Sequence, residues 1–272
     1  MVALKRCLLG GIRGVGKGST MSLLSIDANL PLKDVVEAIL TLGQGVLPVA
    51  REGRFVGVLT EPLLLEAIRN GDPDAPCPVD PLPDLSMPPG LSLRQALTLM
   101  ARTKVRMIML HGEGGHIDRV IDQPAVAATL NPWIGQLSTP IGQLASGAVT
   151  FSVNHTLGEV ADQMLASQIN ALPLVDDAGY LRRLITAADL LRTWYRFDFG
   201  QCWNLPAKEV GTSEVVALDE TAPASLAFGM MMAARVRRVP ITRQGGPVTG
   251  MVSLVDLLAE ADKVVPEDAE LG

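Results

Sequence analysis

One unit of about 64 residues recurs along this chain of 272 residues, and a repeat of that length is normally one supersecondary structure. In the two best-preserved copies a proline is followed 13 positions later by a hydroxyl residue, and an aspartate stands three positions after that. These residues are Pro173, Thr186 and Asp189 in the third copy, and Pro240, Ser253 and Asp256 in the fourth. The fold of this chain therefore has to place the same polar pair twice in equivalent surroundings.

Two earlier copies can be aligned with these but have lost the polar pair, and the first is one residue shorter between the proline and the hydroxyl position. The three positions hold Pro48, Thr60 and Leu63 in the first copy, and Met109, Asp122 and Ala125 in the second. The apolar skeleton is thus shared by all copies, whereas the polar ends survive only in the second half of the chain.

Each copy opens with a helix that has one apolar face, because apolar residues recur at positions i, i+3, i+4 and i+7. The four sets are Leu32, Val35, Val36, Ile39; Leu93, Ala96, Leu97, Met100; Leu157, Val160, Ala161, Met164; and Ala224, Ala227, Phe228, Met231. Two helix starts are marked by capping-box pairs, namely Ser92 with Gln95 and Thr156 with Glu159. Two apolar runs separated by turn residues follow each helix, and then a second helix begins at the hydroxyl position. Each unit reads strand, helix, strand, strand, helix, which predicts a mixed α/β (α+β) fold.

The best-preserved segments resemble a known family. Residues 172–176 (LPLVD), 184–191 (LITAADLL) and 252–258 (VSLVDLL) are similar to the signatures of cystathionine beta-synthase (CBS) domains, and the resemblance covers roughly residues 22–262. It implies four β-α-β-β-α repeats that pair through their sheets into two Bateman modules, as in the gamma subunit of AMP-activated protein kinase. It also implies regulatory binding of adenosine-containing ligands.

The domain boundaries follow from the prolines and from the repeat. Seven prolines between residues 71 and 90 favour an extended connector between the first two copies, because proline cannot continue a helix. We expect an N-terminal tail over residues 1–21, module one over 22–130, a linker over 131–139, module two over 140–262 and a C-terminal tail over 263–272.

The resemblance assigns the candidate binding residues to module two. It makes Asp189 and Asp256 the acceptors for ribose hydroxyls, and Thr186 and Ser253 the hydroxyls on the phosphate side. Arg237 and Arg238 match the basic pair that precedes the proline in nucleotide-binding members, and arginine's planar fork suits phosphate. The remaining candidates are Thr150, Asn170, Ala171, Pro173, Arg183 and Pro240.

Other interpretations of these residues stay open. A hydroxyl residue followed by an acid at a helix start is also a plain capping box, which stabilises a helix by about 1 kcal/mol without any ligand. Arg183 replaces a glycine that the family usually has, and it either reaches a phosphate or blocks the site. Module one lacks both aspartates, so its clefts are expected to be empty, altered in ligand or purely structural.

Composition narrows the function further. The formal charge of −6 argues against general nucleic-acid binding, which needs a basic surface. Three scattered cysteines without metal spacing indicate a reduced cytoplasm and no disulfide framework, and no apolar run approaches the roughly 18 residues that span a bilayer. The three histidines also lack metal-ligand spacing.

Two local features have alternative explanations. Residues 11–18 (GIRGVGKG) nearly match a phosphate-binding P-loop, but Gly18 stands where a serine or threonine binds magnesium, so a flexible tail is preferred over an ATPase. Five of the ten aromatic residues lie between Trp194 and Trp203. They either pack across module two as core or form a partner or dimer contact.

The sequence therefore predicts a non-enzymatic regulatory protein without a required cofactor. It binds AMP, ADP or ATP, with S-adenosylmethionine as an alternative, in clefts between copies three and four. Occupancy is then transmitted to an effector protein or to the mate in a homodimer formed through the CBS modules. The competing hypotheses are an interaction module with vestigial sites and the P-loop ATPase.

Overall fold

The computed structural model describes residues 26–43, 45–51, 54–79, 86–87, 90–111, 117–197 and 199–271. The first repeat has β1 (Ile26–Asp27), α1 (Leu32–Leu42), β2 (Val46–Arg51), β3 (Arg54–Thr60) and α2 (Glu61–Asn70). The second has β4 (Ser86–Met87), α3 (Leu93–Thr103), β5 (Met107–His111), β6 (Ile117–Asp122) and α4 (Gln123–Thr129). We call these segments repeat one and repeat two.

The second half of the chain has the same order of elements. After the short strand β7 (Ser146–Gly147), repeat three has β8 (Phe151–Ser152), α5 (Leu157–Ala166), β9 (Ala171–Val175), β10 (Leu181–Thr186) and α6 (Ala187–Arg196). Repeat four has β11 (Leu218–Asp219), α7 (Ala224–Ala234), β12 (Arg238–Thr242), β13 (Val248–Ser253) and α8 (Leu254–Ala261). The predicted strand, helix, strand, strand, helix order and the mixed α/β fold class are confirmed.

The apolar periodicity identified the buried helix faces correctly. All sixteen residues of the four predicted sets are buried, and the two predicted capping boxes are present at the starts of α3 and α5. Each repeat folds its strands into a small sheet in which the first strand pairs with the second in parallel. The second and third strands of a repeat are neighbours in that sheet. Burying one helix face against such a sheet gives each repeat its own hydrophobic layer.

The described residues form two compact units. Unit one contains repeats one and three, and unit two contains repeats two and four. In unit one the second helices α2 and α6 pack against each other, and in unit two α8 packs against α3, α4 and α7. Each unit has one hydrophobic core to which both of its repeats contribute. The predicted modules pair consecutive repeats instead, and that pairing remains a prediction.

The first helix of every repeat begins with the same contact to a connecting segment. Its first backbone amide donates to a connector carbonyl, which satisfies one of the amides that a helix start leaves unpaired. In unit one the donors and acceptors are Leu32 with Ala75 and Leu157 with Leu205, so each repeat uses the segment that follows it. In unit two Leu93 donates to Ala269, after repeat four, and Ala224 donates to Thr139, after repeat two. The connectors of unit two are therefore exchanged between its repeats.

The sequence predicted a linker over residues 131–139 and a C-terminal tail over 263–272. Residues of both segments lie in the hydrophobic core of unit two. Leu137, in the segment 131–139, is 1% exposed, and Val265 and Ala269, in the segment 263–271, are 3% and 9% exposed. Two neighbouring segments complete sheets in the same manner. Strand β7 pairs with β13 of repeat four, and Thr212 exchanges backbone hydrogen bonds with Leu184 of repeat three.

The aromatic cluster packs mainly as core, within unit one. Trp194 is fully buried in α6 and lies edge-on to Phe199 with ring centroids 5.0 Å apart. Tyr195, Phe199 and Trp203 pack against the same core, whereas Phe197 is 50% exposed. Four of the five aromatic residues therefore pack as core, as one of the two interpretations expected. The core that they join is shared by repeats one and three rather than by repeats three and four.

Replacing Val265 by Ala tests whether the C-terminal segment stabilises unit two. The buried valine loses two methyl groups and leaves a cavity, so we expect the free energy of unfolding to fall by about 2 kcal/mol. Val216, which is 60% exposed, provides the matched control, and Val216→Ala should change stability by less than about 0.5 kcal/mol. Denaturant titration of both variants measures the difference, and equal values would show that the segment contributes nothing to the core.

A buried carboxylate joins helix α8 to the segment after repeat two. Glu260 is 7% exposed, and its two oxygens accept hydrogen bonds from the Thr139 hydroxyl and, at 2.6 Å, from the Lys263 ammonium. Burial acts most strongly and opposes ionisation, but the hydrogen bonds from Lys263 and Thr139 together lower the pKa of Glu260 below its usual 4.5. The ionised form is therefore favoured by folding.

This shift predicts an acid-sensitive component of stability. A carboxyl group with a lowered pKa in the folded state contributes its full stabilisation above the unfolded pKa of 4.5, and it loses this contribution as the pH falls through the folded value. Glu260→Gln should abolish that component, so the stabilities of variant and wild type should converge as the pH falls from about 6 to 3. Denaturant unfolding across this range measures it, with the exposed Glu270→Gln as control. Parallel curves for Glu260→Gln and wild type would contradict the prediction.

Candidate functional site

The start of the second helix has the same backbone geometry in all four repeats. The first helical amide donates to the carbonyl of the residue that lies three positions before the proline position. The pairs are Glu61 with Gly45 (3.4 Å), Gln123 with Arg106 (3.1 Å), Ala187 with Asn170 (3.0 Å) and Leu254 with Arg237 (2.8 Å). This contact makes Gly45, Arg106, Asn170 and Arg237 structurally equivalent, and it brings each of them to a helix N-terminus.

In repeat three the predicted polar pair forms a closed capping box. One carboxylate oxygen of Asp189 accepts from the Thr186 amide at 2.9 Å and from the Thr186 hydroxyl at 2.7 Å. The Asp189 amide donates back to the hydroxyl at 3.3 Å. The other carboxylate oxygen accepts from the Arg192 guanidinium at 2.9 Å. Both oxygens of Asp189 are thus engaged, and Arg192 is a participant that the motif did not indicate.

In repeat four the corresponding carboxylate is held on one side. An oxygen of Asp256 accepts from the Ser253 amide at 2.8 Å and from the Ser253 hydroxyl at 2.5 Å. The position of Arg192 is taken by Ala259, which has no donor. No hydrogen bond between a described side chain and the second oxygen is seen, so this oxygen can accept from an incoming hydroxyl.

Repeats one and two begin their second helices with simpler caps. The Thr60 hydroxyl accepts from the Leu63 amide at 3.4 Å, and the Asp122 carboxylate accepts from the Ala125 amide at 2.8 Å. Because Leu63 and Ala125 replace the acid, neither repeat presents a carboxylate in the first turn at the position of Asp189 and Asp256. The structural role of the cap survives in these repeats without the second polar residue.

Arg183 contacts the backbone of the segment that leads out of repeat three. Its guanidinium donates to the Gly211 carbonyl at 3.2 Å. Gly211 has a φ of +82°, and a Cβ there would approach the Leu184 carbonyl oxygen to 2.6 Å, so only glycine fits this turn. Arg183 therefore holds the segment that leads out of repeat three, which neither of the two expectations included.

The other predicted residues divide between the two units. In unit one, Asn170, Ala171 and Pro173 are buried beside α6, whereas in unit two Arg237 and Arg238 are half-buried and Pro240 is buried. Thr150 is exposed immediately before β8 and is grouped with unit two. The structure thus gathers the repeat-three candidates except Thr150 in one unit, and the repeat-four candidates in the other.

One buried group beside the repeat-three box has no explanation in the packing. Asn170 is 5% exposed, and its side-chain oxygen is enclosed without a hydrogen-bond partner among the described residues. The enclosed indole nitrogen of Trp194, in the same unit, is likewise unpaired. Buried polar atoms of this kind are rare in folded proteins, so each calls for a specific cause.

Other reactive groups do not form a second chemical site in the described part of the chain. Burial raises the pKa of Cys77 to about 12 and that of Cys202 to about 11, so both remain thiols at neutral pH. No group of three or more potential metal ligands occurs among the described residues. The P-loop-like residues 11–18, with Lys17, lie outside them, as do Cys7 and His116.

A model of the CBS domain family matches residues 19–70, 141–195 and 207–263. The chain belongs to the CBS domain family. The three matched ranges correspond to repeats one, three and four, and they include the segments before β8 and β11 that complete neighbouring sheets.

Relatives of known name share only part of their length with this CBS protein. Inosine-5'-monophosphate dehydrogenase of Mycobacterium leprae is 25% identical over 115 residues, which cover 42% of this chain and 21% of the enzyme. The enzyme of the same name from Methanocaldococcus jannaschii is 30% identical over 110 residues, with 40% and 21% covered. The chain therefore spans about a fifth of the length of these curated relatives.

Two solved structures match most of the chain in fold. One is a Methanocaldococcus jannaschii protein described as a candidate archaeal homologue of g-AMPK, with a TM-score of 0.73 and 13% identity over 91% of this chain and 97% of its own. The other is an uncharacterised conserved protein from Pyrococcus horikoshii, with a TM-score of 0.56 and 19% identity over 80% and 91%. At these identities the likeness concerns the fold. Within the described residues, no helix is both long enough and apolar enough to cross a membrane.

The capping box of repeat three can be tested against the simpler cap of repeat one. Thr186→Ala removes the hydroxyl that both accepts from the Asp189 amide and donates to its carboxylate, so we expect a loss of about 1 to 2 kcal/mol. Thr60→Ala removes one long hydrogen bond and should cost about 0.5 kcal/mol. Both residues lie in unit one, so thermal or denaturant unfolding compares them directly. Equal losses would mean that the carboxylate adds nothing to the cap.

Proposed function

We propose that the protein is a non-enzymatic regulator that binds adenosine-containing ligands, AMP, ADP or ATP, at repeats three and four. In this proposal repeat two is a divergent fourth CBS repeat, and consecutive repeats pair as Bateman modules over residues 22–130 and 140–262. Ligand occupancy is transmitted to an effector protein or to the mate in a homodimer. S-adenosylmethionine is an alternative ligand, and the protein acts in the cytoplasm.

The observation that carries this proposal is the fixed carboxylate in the first turn of α6 and of α8. Asp189 and Asp256 are each oriented by two hydrogen bonds from the preceding cap residue. A carboxylate held in this way can accept from both hydroxyls of a ribose at little entropic cost, since its rotamer is already fixed. The fold supports the same interpretation, because the protein with a TM-score of 0.73 is itself described as a candidate homologue of g-AMPK.

Charge supports a phosphorylated ligand at repeat four. Arg237 and Arg238 lie just before Pro240, and the Arg237 carbonyl holds the first amide of α8. Guanidinium groups beside a helix N-terminus are well suited to phosphate, because the helix end contributes partial positive charge. On a chain with a formal charge of −6, such a local positive group is needed to attract an anion.

The second candidate function is an interaction module with vestigial sites. It is favoured by one specific observation, the engagement of both oxygens of Asp189 by Thr186 and Arg192. In that case the acids act as caps only, and the repeats serve as binding surfaces for another protein. The dehydrogenase activity of the partial relatives is not carried over, because the shared stretch is a fifth of their length.

Ligand-dependent unfolding of the full chain separates the two functions. A ligand that binds the folded state alone, at 100 times its Kd, adds about 2.7 kcal/mol to the free energy of unfolding. We expect AMP, ADP or ATP to raise Tm, and the double variant Asp189→Ala/Asp256→Ala to remove most of that shift because ribose loses its acceptor at both repeats. Asp268→Ala, which changes an exposed acid in the same unit as Asp256, is the matched control and should retain the wild-type shift.

The outcomes are distinct for each hypothesis. A Tm that none of AMP, ADP, ATP and S-adenosylmethionine changes would eliminate the regulator and favour the interaction module. Equal shifts in Asp189→Ala, Asp256→Ala and wild type would place binding elsewhere on the chain. Phosphate release from ATP that disappears in Lys17→Ala would instead support the P-loop ATPase.

A further inference from the structure

Helix α7 is apolar on both of its faces. It has no charged side chain over Ala224–Ala234, whereas each of the other three first helices carries at least two. A second set of residues with the spacing i, i+3, i+4 and i+7 begins two residues after the buried set. We call this second set the outer face of α7, and it consists of Leu226, Gly229, Met230 and Ala233. Two residues turn an α-helix by about 200°, so the outer face lies opposite the core.

The outer face is open within the described part of the chain. Leu226 is 52% exposed, Gly229 and Ala233 are exposed, and Met230 is half-buried. A Cβ at Gly229 would meet nothing within 4 Å. A helix that is apolar all round is normally covered on all sides, so this face calls for a partner that covers it.

In the other three repeats, the position of Gly229 is bridged to the repeat that shares its unit. A side chain there hydrogen-bonds with a residue at the end of that repeat's second helix. The pairs are Asp162 with Arg69 at 2.8 Å, Thr98 with Asp262 at 3.0 Å, and Glu37 with Tyr195. The corresponding residue of repeat two is Asn131, which is exposed and lies beyond the end of α4 at Thr129. Among the described residues of unit two, the fourth bridge is therefore missing.

The outer face is complementary to itself. When two copies of α7 pack antiparallel around a two-fold axis between positions 229 and 230, Leu226 of each copy lies opposite Ala233 of the other. Met230 lies opposite Gly229 in the same arrangement. Each large side chain thus meets a small one, which suits the packing of ridges into grooves.

The lack of charge on α7 also favours a contact with its own copy. A two-fold interface places one surface against the same surface, so a charged face is set against like charges. The first helices α1 and α5 carry acids at the equivalent positions, and two such faces would repel each other. Helix α7 has no charged side chain, so two copies approach without this repulsion.

We propose that the outer face of α7 binds the same face of a second copy of this chain. The inference rests on the homodimer in the proposed function and adds the surface that forms it. One face of an 11-residue helix is small compared with the roughly 800 Å² per partner of a stable interface. The dimer should therefore be weak and should form at micromolar concentrations.

Analytical ultracentrifugation of the full chain from about 1 to 300 μM tests this surface, because weak interfaces associate in that range. We expect the wild type to pass from monomer to dimer. Leu226→Glu should weaken dimerisation at least tenfold, because an unpaired carboxylate would be buried against Ala233 of the other copy. Val216→Glu, at a site that is 60% exposed in the same unit, is the matched control and should dimerise as the wild type does.

A mixture of two variants tests the antiparallel arrangement. Leu226→Glu and Ala233→Lys should each dimerise poorly alone, because each buries a charge without a partner. Mixed in equal amounts they should form a heterodimer at least tenfold more tightly than either variant alone, since the new carboxylate lies opposite the new ammonium. Loss in both variants without recovery in the mixture would overturn this arrangement.

The contrary outcomes distinguish the other ways of covering the face. A wild type that stays monomeric over the whole range would overturn the inference. If Leu226→Glu then lowers Tm, a segment of the same chain covers the face, and if Tm is unchanged, the face is left to a different protein. A dimer that Leu226→Glu does not weaken would place the interface elsewhere and overturn the inference as well. A rise of Tm with AMP in the monomeric variant would leave the ligand-binding part of the proposed function intact.

Discussion

The hydrogen bond from the first amide of the second helix to the carbonyl three residues before the proline position organises every repeat. It joins the start of the second helix to the residue just before the central strand, and the acceptors are the carbonyls of Gly45, Arg106, Asn170 and Arg237. Because a helix start leaves its first amides unpaired, this bond stabilises the junction regardless of the side chain at that position. The side chain is therefore free to vary, and a glycine, two arginines and an asparagine occupy it.

Because this backbone bond does not depend on the side chain, repeats one and two keep the fold without the polar pair. Their helix faces are buried as fully as those of repeats three and four, and their caps need one hydroxyl or carboxyl acceptor each. The acid in the first turn of α6 and α8 adds to a cap that is already adequate. Its presence in two repeats only is what the proposed binding role requires, whereas the closed pair of Asp189 with Arg192 favours the capping role in repeat three.

The sequence predicted the local features well because they depend on neighbours within one turn of helix or one strand. Helix faces, capping boxes and the order of elements follow from spacing over a few residues. The joining of repeat one with three, and of two with four, could not be predicted, because the apolar faces of all four repeats are chemically alike. Spacing also gave no sign that the segment around Val265 and Ala269 belongs to the core, since short apolar stretches after a helix carry no periodicity.

For the candidate sites too, the sequence predicted the motif residues but not the roles that depend on contacts between distant residues. Thr186, Asp189, Ser253 and Asp256 were found because a motif repeats them, but the roles of Arg192 and Arg183 depend on contacts. Asn170 illustrates this most clearly. Its place in the repeat is visible in the sequence, but only the structure shows that its side-chain oxygen is buried without a hydrogen-bond partner in the described part of the chain.

The contacts of repeat three also indicate which segment a ligand bound at repeat three would restrain. Strand β10 ends at the cap residue Thr186, and within it Leu184 exchanges two backbone hydrogen bonds with Thr212 while Arg183 holds Gly211. The strand that positions the capping box therefore also positions the segment that leads into repeat four. A ligand that fixes Asp189 and the end of β10 would restrain this segment as well. Such a restraint could shift an equilibrium between two arrangements only by the difference in the ligand's affinity for them, so the contacts at Gly211 indicate where it would act and not how large its effect would be.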